Sequence, residues 1–239
     1  MTGMSVPSPS EQQPPPVVES DVVLARRTQI LATEHWGLLA ARSTAQSEVL
    51  TRITIFLTLV SAGLVTIGLL GQASGFRSWF GGASLSILAF LALIGLLTQT
   101  RVLNVSEEDM MYVVAMNRLR GAYVDLDPVV ADVFLSSTYD DEPGMKITYS
   151  FLRARGASVL VGSSVVLLVV VNACVFGLLA GSITLAAGGA FGWAIGVGLG
   201  IGLVYLSGFL AFSGLMFRAT WRRYIPRRES PGPPPFLRP

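Results

Sequence analysis

The sequence predicts an all-α membrane protein with four transmembrane helices, a small cytoplasmic helical layer and disordered Pro-rich tails. Three observations lead to this fold class: few charged residues, four long apolar stretches, and arginines that lie almost entirely to one side of them. Of the 239 residues, 51% are hydrophobic and only 13% are charged, about half the charged fraction of a typical globular domain. With a mean hydropathy of +0.59, the chain has too few polar side chains to cover a water-soluble particle.

Four stretches are apolar enough to cross a bilayer core of roughly 30 Å, which takes about 20 residues of helix. We expect these spans at 53–71, 83–98, 157–179 and 191–212, with 217 as the outer limit of the last. None of the four contains Asp, Glu, Lys, Arg or His. Proton relays and coupled transporters usually place ionisable residues inside the membrane, so this composition disfavours that class.

The basic side chains predict the orientation of the spans. Of the 17 basic residues, only Arg77 falls in a loop on the far side. The others precede the first span, separate the second from the third, or follow the fourth. Because Lys and Arg collect on the cytoplasmic side, we expect a multi-pass protein of the cell (plasma) membrane with both termini cytoplasmic. The opening residues lack the apolar run of a signal peptide, so the first span is expected to direct insertion.

Composition divides the chain into five parts. Eleven of the thirteen prolines lie before residue 17 or after residue 225, which is typical of disordered ends. We expect a Pro-rich N-terminal tail at 1–20, a cytoplasmic helix with the first transmembrane hairpin at 21–101, a cytoplasmic helical segment at 102–156, the second hairpin at 157–217 and a basic, Pro-rich C-terminal tail at 218–239.

Two long helices are expected outside the spans. Between Asp21 and Leu50 the only Gly or Pro is Gly37, which predicts one helix that continues into the first span. In the central segment, Ser106 with Asp109 has the pattern of an N-cap. Apolar positions then follow helical spacing at Tyr112, Met116, Leu119, Tyr123 and Leu126. We expect this stripe to dock on the N-terminal helix, because so short a segment cannot bury a core alone.

Two acidic features follow in the central segment. Asp127 and Pro128 are the residue types of a helix cap and first position, which predicts a short helix ending near Leu135. Residues 140–142 form the densest acidic cluster, Asp-Asp-Glu, but they lack the alternating spacing of a calcium-binding loop. We expect a solvated turn there and no metal site.

Glycines form the strongest pattern in the chain. Two rows with a spacing of four mark the fourth span: Gly188, Gly192, Gly196 and Gly200, and then Gly198 and Gly202. Gly177 and Gly181 add one such pair at the end of the third span. This spacing lets another helix backbone approach closely, in the same chain or in a second one. Asn172, inside the third span, is expected to join helices through its amide.

Hydroxyl side chains share one side of the first span. They are Thr51, Thr54, Thr58 and Ser61, which step by three, four and three residues. Two interpretations stay open. The hydroxyls could face a pore, or each could bond to a carbonyl of its own preceding turn.

The remaining composition predicts no enzyme and no cofactor. One cysteine excludes an intramolecular disulfide framework, and one histidine excludes the familiar His-based zinc sites. We find no nucleophile–base pair, phosphate-binding loop or metal signature. A net charge of +2 is too small to indicate nucleic-acid binding.

Three segments carry a resemblance: 34–43 (EHWGLLAARS), 116–120 (MNRLR) and 139–142 (YDDE). They resemble an uncharacterised, actinobacterial-type family of four-span integral membrane proteins, over roughly residues 20–225. The likeness implies the four-span fold and carries no activity or site residues. A weaker, architectural likeness is to SLATT-type membrane effectors, proposed pore formers in nucleotide-signalled defence. Those have two spans, whereas this chain has a second hairpin.

These observations favour a non-enzymatic scaffold or assembly subunit that associates through its Gly-rich fourth span and its cytoplasmic helices. The alternative is an oligomeric channel or pore-forming membrane protein. The expected partners are membrane lipids, further copies of the chain and a protein at the cytoplasmic face.

Overall fold

The described part of the chain is built from helices. The computed structural model describes residues 20–77, 79–150 and 163–231, and these contain no β-strand. The elements in chain order are α1 (Asp21–Ser74), α2 (Phe80–Leu126), a 3₁₀ helix (Pro128–Val133), α3 (Glu142–Tyr149), α4 (Ser164–Ala186) and α5 (Phe191–Arg223). The all-helical class is confirmed.

Four of these helices are long and apolar enough to cross a membrane, as predicted: α1, α2, α4 and α5. The predicted spans 53–71 and 83–98 lie within α1 and α2. From residue 164 on, the third predicted span lies within α4, which runs from Ser164 to Ala186 and so continues past the predicted end at 179. Its predicted start, 157–162, lies outside the described residues. The fourth helix, α5, extends past the predicted limit to Arg223.

Both helices of the first hairpin run far beyond an apolar core. The 54 residues of α1 correspond to about 80 Å at 1.5 Å per residue. The expected single helix from Asp21 into the first span is therefore confirmed. The 47-residue helix α2 is also continuous, so the predicted N-cap at Ser106 is wrong. Its hydroxyl instead donates to the Val102 carbonyl at 2.8 Å, inside the helix.

The four long helices pack in a row. The extensive contacts join α1 to α2, α2 to α4, and α4 to α5. Phe56 of α1, Leu91 of α2 and Leu168 of α4 are buried together in the main hydrophobic core. This order leaves α5 at one edge of the row, with one face against α4 and, near its C-terminal end, Phe217 and Trp221 against the small core formed by Val113, Met116 and Met145.

Beyond the row, the polar ends of the helices form a second layer, which we call the end layer. It comprises 21–50 of α1, 101–126 of α2, the 3₁₀ helix, α3 and 224–231. The Asp127 side chain accepts from the Val129 amide at 3.0 Å and caps the 3₁₀ helix, so the predicted short helix is present, ending at Val133. Val113, Met116 and Met145 form the layer's own small core. The tight turns of the two hairpins lie at the opposite end of the row.

Candidate functional site

The second glycine row joins α5 to α4 inside the chain. A Cβ atom on Gly198 would lie 2.8 Å from the Gly177 carbonyl oxygen, and one on Gly177 would lie 2.7 Å from the Gly198 carbonyl oxygen. Gly202 makes the same close approach to the Ala173 carbonyl, at 3.1 Å. Gly181 would meet the Ala194 carbonyl at 3.0 Å. We call this contact the glycine seam. It requires residues without side chains, since any Cβ there would push two backbones apart.

The first glycine row makes no such contact with the described part of the chain. A Cβ atom on Gly192, Gly196 or Gly200 would meet nothing within 4 Å. Gly188 does not belong with them, because it lies in the turn after α4 with φ +83°, a left-handed conformation that suits glycine. Of the predicted packing row, three glycines therefore lie on an open helix face and one serves a turn.

The two rows lie on opposite faces of α5. Successive helical residues are separated by about 100° around the axis, so Gly196 and Gly198 are about 200° apart. We call the side carrying Gly192, Gly196 and Gly200 the outer glycine face. None of the most apolar 18-residue stretch of α5 is buried, against 33% of that of α4. The outer glycine face is thus the side of α5 that points away from the chain's own helices.

Asn172 lies at a buried polar contact between three helices. Its amide nitrogen donates to the Gly95 carbonyl at 3.1 Å and also to the Gln99 side-chain oxygen. The Tyr205 hydroxyl of α5 donates to the same Gln99 oxygen at 2.7 Å. Asn172 therefore links α4 to α2, and Gln99 extends the link to α5. A side chain on Gly95 would overlap the Asn172 amide oxygen, so this glycine makes room for the contact.

Gln99 and Tyr205 were missed from the sequence. Gln99 falls one residue past the predicted end of the second span, and Tyr205 is one aromatic residue among many apolar neighbours. The available signal was polarity alone: each is a rare hydrogen-bonding side chain in an apolar helix, as Asn172 is.

The hydroxyl row of the first span bonds to its own helix. Each hydroxyl donates to the carbonyl four residues earlier, at 2.9 Å for Thr51, Thr54 and Ser61 and 2.8 Å for Thr58. All four residues are exposed on α1. The local interpretation accounts for every one of these hydroxyls, and a pore-facing role stays a prediction.

An ion pair and its hydrogen bonds join the helices within the end layer. Arg42 of α1 donates to Asp109 of α2 at 2.6 Å, and Gln46 and Tyr149 donate to the same carboxylate. Burial raises the pKa of Asp109, but the hydrogen bonds from Arg42 and Tyr149 outweigh it and leave the pKa below its ordinary value. The sequence predicted that Asp109 completes a helix cap. Its carboxylate instead joins α2 to α1 and α3, because it accepts hydrogen bonds from side chains of both helices.

A second charged group lies where the apolar part of α1 begins. Arg101 of α2 pairs with Glu48 at 2.9 Å and with Glu108 at 3.0 Å, while Arg52 pairs with Glu48 at 2.8 Å. Hydrogen bonds from Arg101 and then Arg52 lower the pKa of Glu48 to about 2. Two carboxylates and two guanidinium groups alternate here, and their charges balance.

The acidic turn at 140–142 is only partly solvated, which corrects the sequence prediction. Asp140 is fully buried. Its carboxylate accepts from Arg118 at 2.8 Å, from the Tyr224 hydroxyl at 2.9 Å, and from the backbone amides of Arg227 and Arg228 at 3.0 and 2.7 Å. Burial raises the pKa of Asp140, but these hydrogen bonds, the Arg228 amide first, leave it below its ordinary value.

The same turn anchors the residues that follow α5. Asp141 caps α3 by accepting from the Gly144 amide at 2.8 Å, and its other oxygen accepts from the Ser230 amide and hydroxyl at 2.7 and 2.6 Å. The prediction of a disordered tail from residue 218 is therefore wrong for 218–231, which finish α5 and then bind this turn. Residues 232–239, and the N-terminal tail up to 19, lie outside the described residues.

Within the described ranges, no group of three or more His, Cys, Asp and Glu side chains is placed to hold a metal ion. The comparisons with known proteins add no relative. No protein-family model, no curated protein and no solved structure matches the chain significantly. The geometry of the chain itself is therefore the basis for a function.

Proposed function

We propose that the chain is a non-enzymatic, multi-pass protein of the plasma membrane that serves as a scaffold or assembly subunit. It associates with further copies of itself through the outer glycine face of α5, defined by Gly192, Gly196 and Gly200. One observation carries the proposal: α5 has glycines on two opposite faces, and the fold uses only one of them.

The placement in the membrane is supported by charge as well as by length. Four helices are long and apolar enough to span a membrane. The ion pairs between described residues lie in or beside the end layer. Among the described residues, Arg77, in the turn at the opposite end, is the single basic residue on that side. Because cytoplasmic segments are rich in Lys and Arg, the end layer and both termini are assigned to the cytoplasm.

Self-association follows from how helices attract each other in lipid. Apolar burial does not drive it there, since lipid tails are as apolar as leucine; close backbone contact does. The glycine seam shows what such a contact needs in this chain, namely a Cβ-free strip facing another helix. The outer glycine face offers a second strip of this kind at the edge of the row. Two copies related by a two-fold axis would present the same strip to each other.

Cysteine cross-linking of the full chain in membranes tests this arrangement. The native Cys174 is exposed, so it is first replaced in a Cys174→Ala background. Leu203→Cys should then give a disulfide-linked dimer under mild oxidation, since a disulfide needs Cα atoms within roughly 7 Å. Leu203 is exposed and lies about 20° from Gly196 around the helix, so this cysteine is on the outer glycine face and leaves its glycines intact. Ile201→Cys is the matched control, because residue 201 lies exposed on the same helix but about 140° from Gly196. Equal cross-linking at both positions, or none at Leu203→Cys, would contradict the proposal.

A further inference from the structure

A cleft between α1 and α2 lies at the level where the apolar part of α1 begins. It encloses about 660 Å³, within the roughly 300–1,000 Å³ typical of small-molecule sites. Its two ends differ in chemistry. Glu48, Thr51 and Arg52 line the end nearer the end layer, whereas Ile55, Phe56 and Leu97 line the other.

This polarity gradient runs along the helix axis. Thr44, at the polar limit, and Phe56, at the apolar limit, are twelve positions apart, which corresponds to about 18 Å of helix. A free phosphate would use only the first part of such a cleft, and a plain hydrocarbon only the second. A molecule with a charged head and an acyl chain matches both. The cleft is open rather than enclosed, since Ile55 and Leu97 of its lining are 55% and 60% exposed.

The charges at the polar end specify the head group further. Arg52 and Arg101 are balanced by Glu48 and Glu108, so the group has no excess positive charge with which to collect an anionic lipid. The side chains of Arg52 and Glu48 are 52% and 38% exposed, which leaves each accessible for exchange of partners. A guanidinium group suits a phosphate, and a carboxylate suits a primary ammonium group.

We propose that this cleft binds a zwitterionic glycerophospholipid with a primary amine, of the phosphatidylethanolamine class. The lipid phosphate pairs with Arg52, its ammonium group donates to Glu48, and an acyl chain lies on Ile55, Phe56 and Leu97. Binding exchanges the Arg52–Glu48 pair for two pairs with the lipid, while Glu48 keeps Arg101. The inference rests on the membrane placement of the proposed function and does not depend on self-association.

Native mass spectrometry of the full chain tests the site, after reconstitution in nanodiscs with equal parts of phosphatidylethanolamine, phosphatidylcholine and phosphatidylglycerol. Phosphatidylcholine has a trimethylated amine and cannot donate to Glu48. The expected result is retention of phosphatidylethanolamine over both other lipids by about threefold to fivefold, the size of one partly exposed ion pair. The same spectrum counts the protein chains, so failure of lipid binding and failure of self-association are read separately.

Three variants separate the parts of the site. Glu48→Gln can still accept from Arg101 and should reduce the preference for the primary amine to about one. Arg52→Gln should lower retention of all three lipids alike. Leu97→Trp keeps every charge and should block the cleft by volume, so it covers the case in which a charge variant misfolds. Lys146→Gln, whose partner Glu142 lies in α3, is the control and should behave as wild type. Equal retention of the three lipids, a preference for phosphatidylglycerol, or an unchanged preference in Glu48→Gln would overturn the assignment.

Discussion

Gly198 and Gly177 bring the backbones of α5 and α4 into direct contact, since a Cβ atom on either would lie within 2.8 Å of the other's carbonyl oxygen. Two residues away, Gly196 has nothing within 4 Å of its Cβ position. The helix α5 therefore carries two glycine strips. One packs against α4 within the chain, and the other is exposed. This difference allows fold and assembly to be tested by separate substitutions.

Substitution in the glycine seam should destabilise the single chain. Gly198→Ala places a methyl group against the Gly177 carbonyl, a backbone atom that cannot rotate away. We expect a loss of about 1–3 kcal/mol, as for other overpacked interiors, seen as a lower thermal midpoint of the detergent-solubilised protein. Gly208→Ala on the same helix is the matched control, because its Cβ would meet nothing within 4 Å. Equal midpoints for the two variants would mean that the seam is looser than described.

Gly95→Ala should disturb the polar contact around Asn172. Its methyl group would overlap the Asn172 amide oxygen and lie 3.0 Å from the Phe56 ring. We expect a loss of about 1–3 kcal/mol in the same thermal measurement, partly recovered in a Gly95→Ala, Asn172→Ala double variant. Gly68→Ala, in the open part of α1, serves as the control and should be neutral or slightly stabilising. A double variant no better than the single would place the clash elsewhere.

Asp140→Asn should release the residues after α5. The new amide group cannot accept the hydrogen bonds from Arg118 and Tyr224 that one carboxylate oxygen now receives. Hydrogen bonds to a charged group are worth about 1.5–3 kcal/mol, so we expect faster trypsin cleavage after Arg227. Asp132→Asn makes the same chemical change at an exposed position and should leave the cleavage rate at the wild-type value. Unchanged cleavage in Asp140→Asn would show that other contacts hold this segment.

The same anchor should weaken in acid. The pKa of Asp140 is lowered in the folded chain, so its contribution is present above the unfolded value of about 3.9 and is lost as pH falls through the lower folded value. Amide hydrogen exchange at 224–231 should therefore stay slow, once corrected for intrinsic rates, from pH 7 to about pH 4 and become faster below it. Loss of protection already near pH 6 would contradict this account.

The sequence predicted the long helices well because their signal is local. Between Asp21 and the first span, a single glycine interrupts a run of helix-forming residues, and α1 is continuous through it. The wrong prediction of an N-cap at Ser106 has the same cause, because it too was based on a local signal. Its cap pattern was real, but residues 99–105 contain neither Gly nor Pro, so nothing stopped α2 before the serine.

The acidic turn could not be predicted, because its partners are distant in the chain. Asp140 bonds to Arg228, 88 residues later, and Asp141 to Ser230, 89 residues later. Charge and proline content made both segments look solvated. The glycine rows were limited in the same way. Their spacing indicates two glycine-lined faces on α5, but the contact partner, Gly177 on α4, decides which of the two faces packs within the chain.

The mass of the protein in lipid nanodiscs, measured by native mass spectrometry, tests the central claim most directly. Wild type should be a dimer or a larger assembly. Gly196→Leu should be a monomer, because the leucine fills the outer glycine face, where a Cβ atom would meet none of the described residues within 4 Å. A monomeric wild type, or a Gly196→Leu variant with the same assembly as wild type, would contradict the claim.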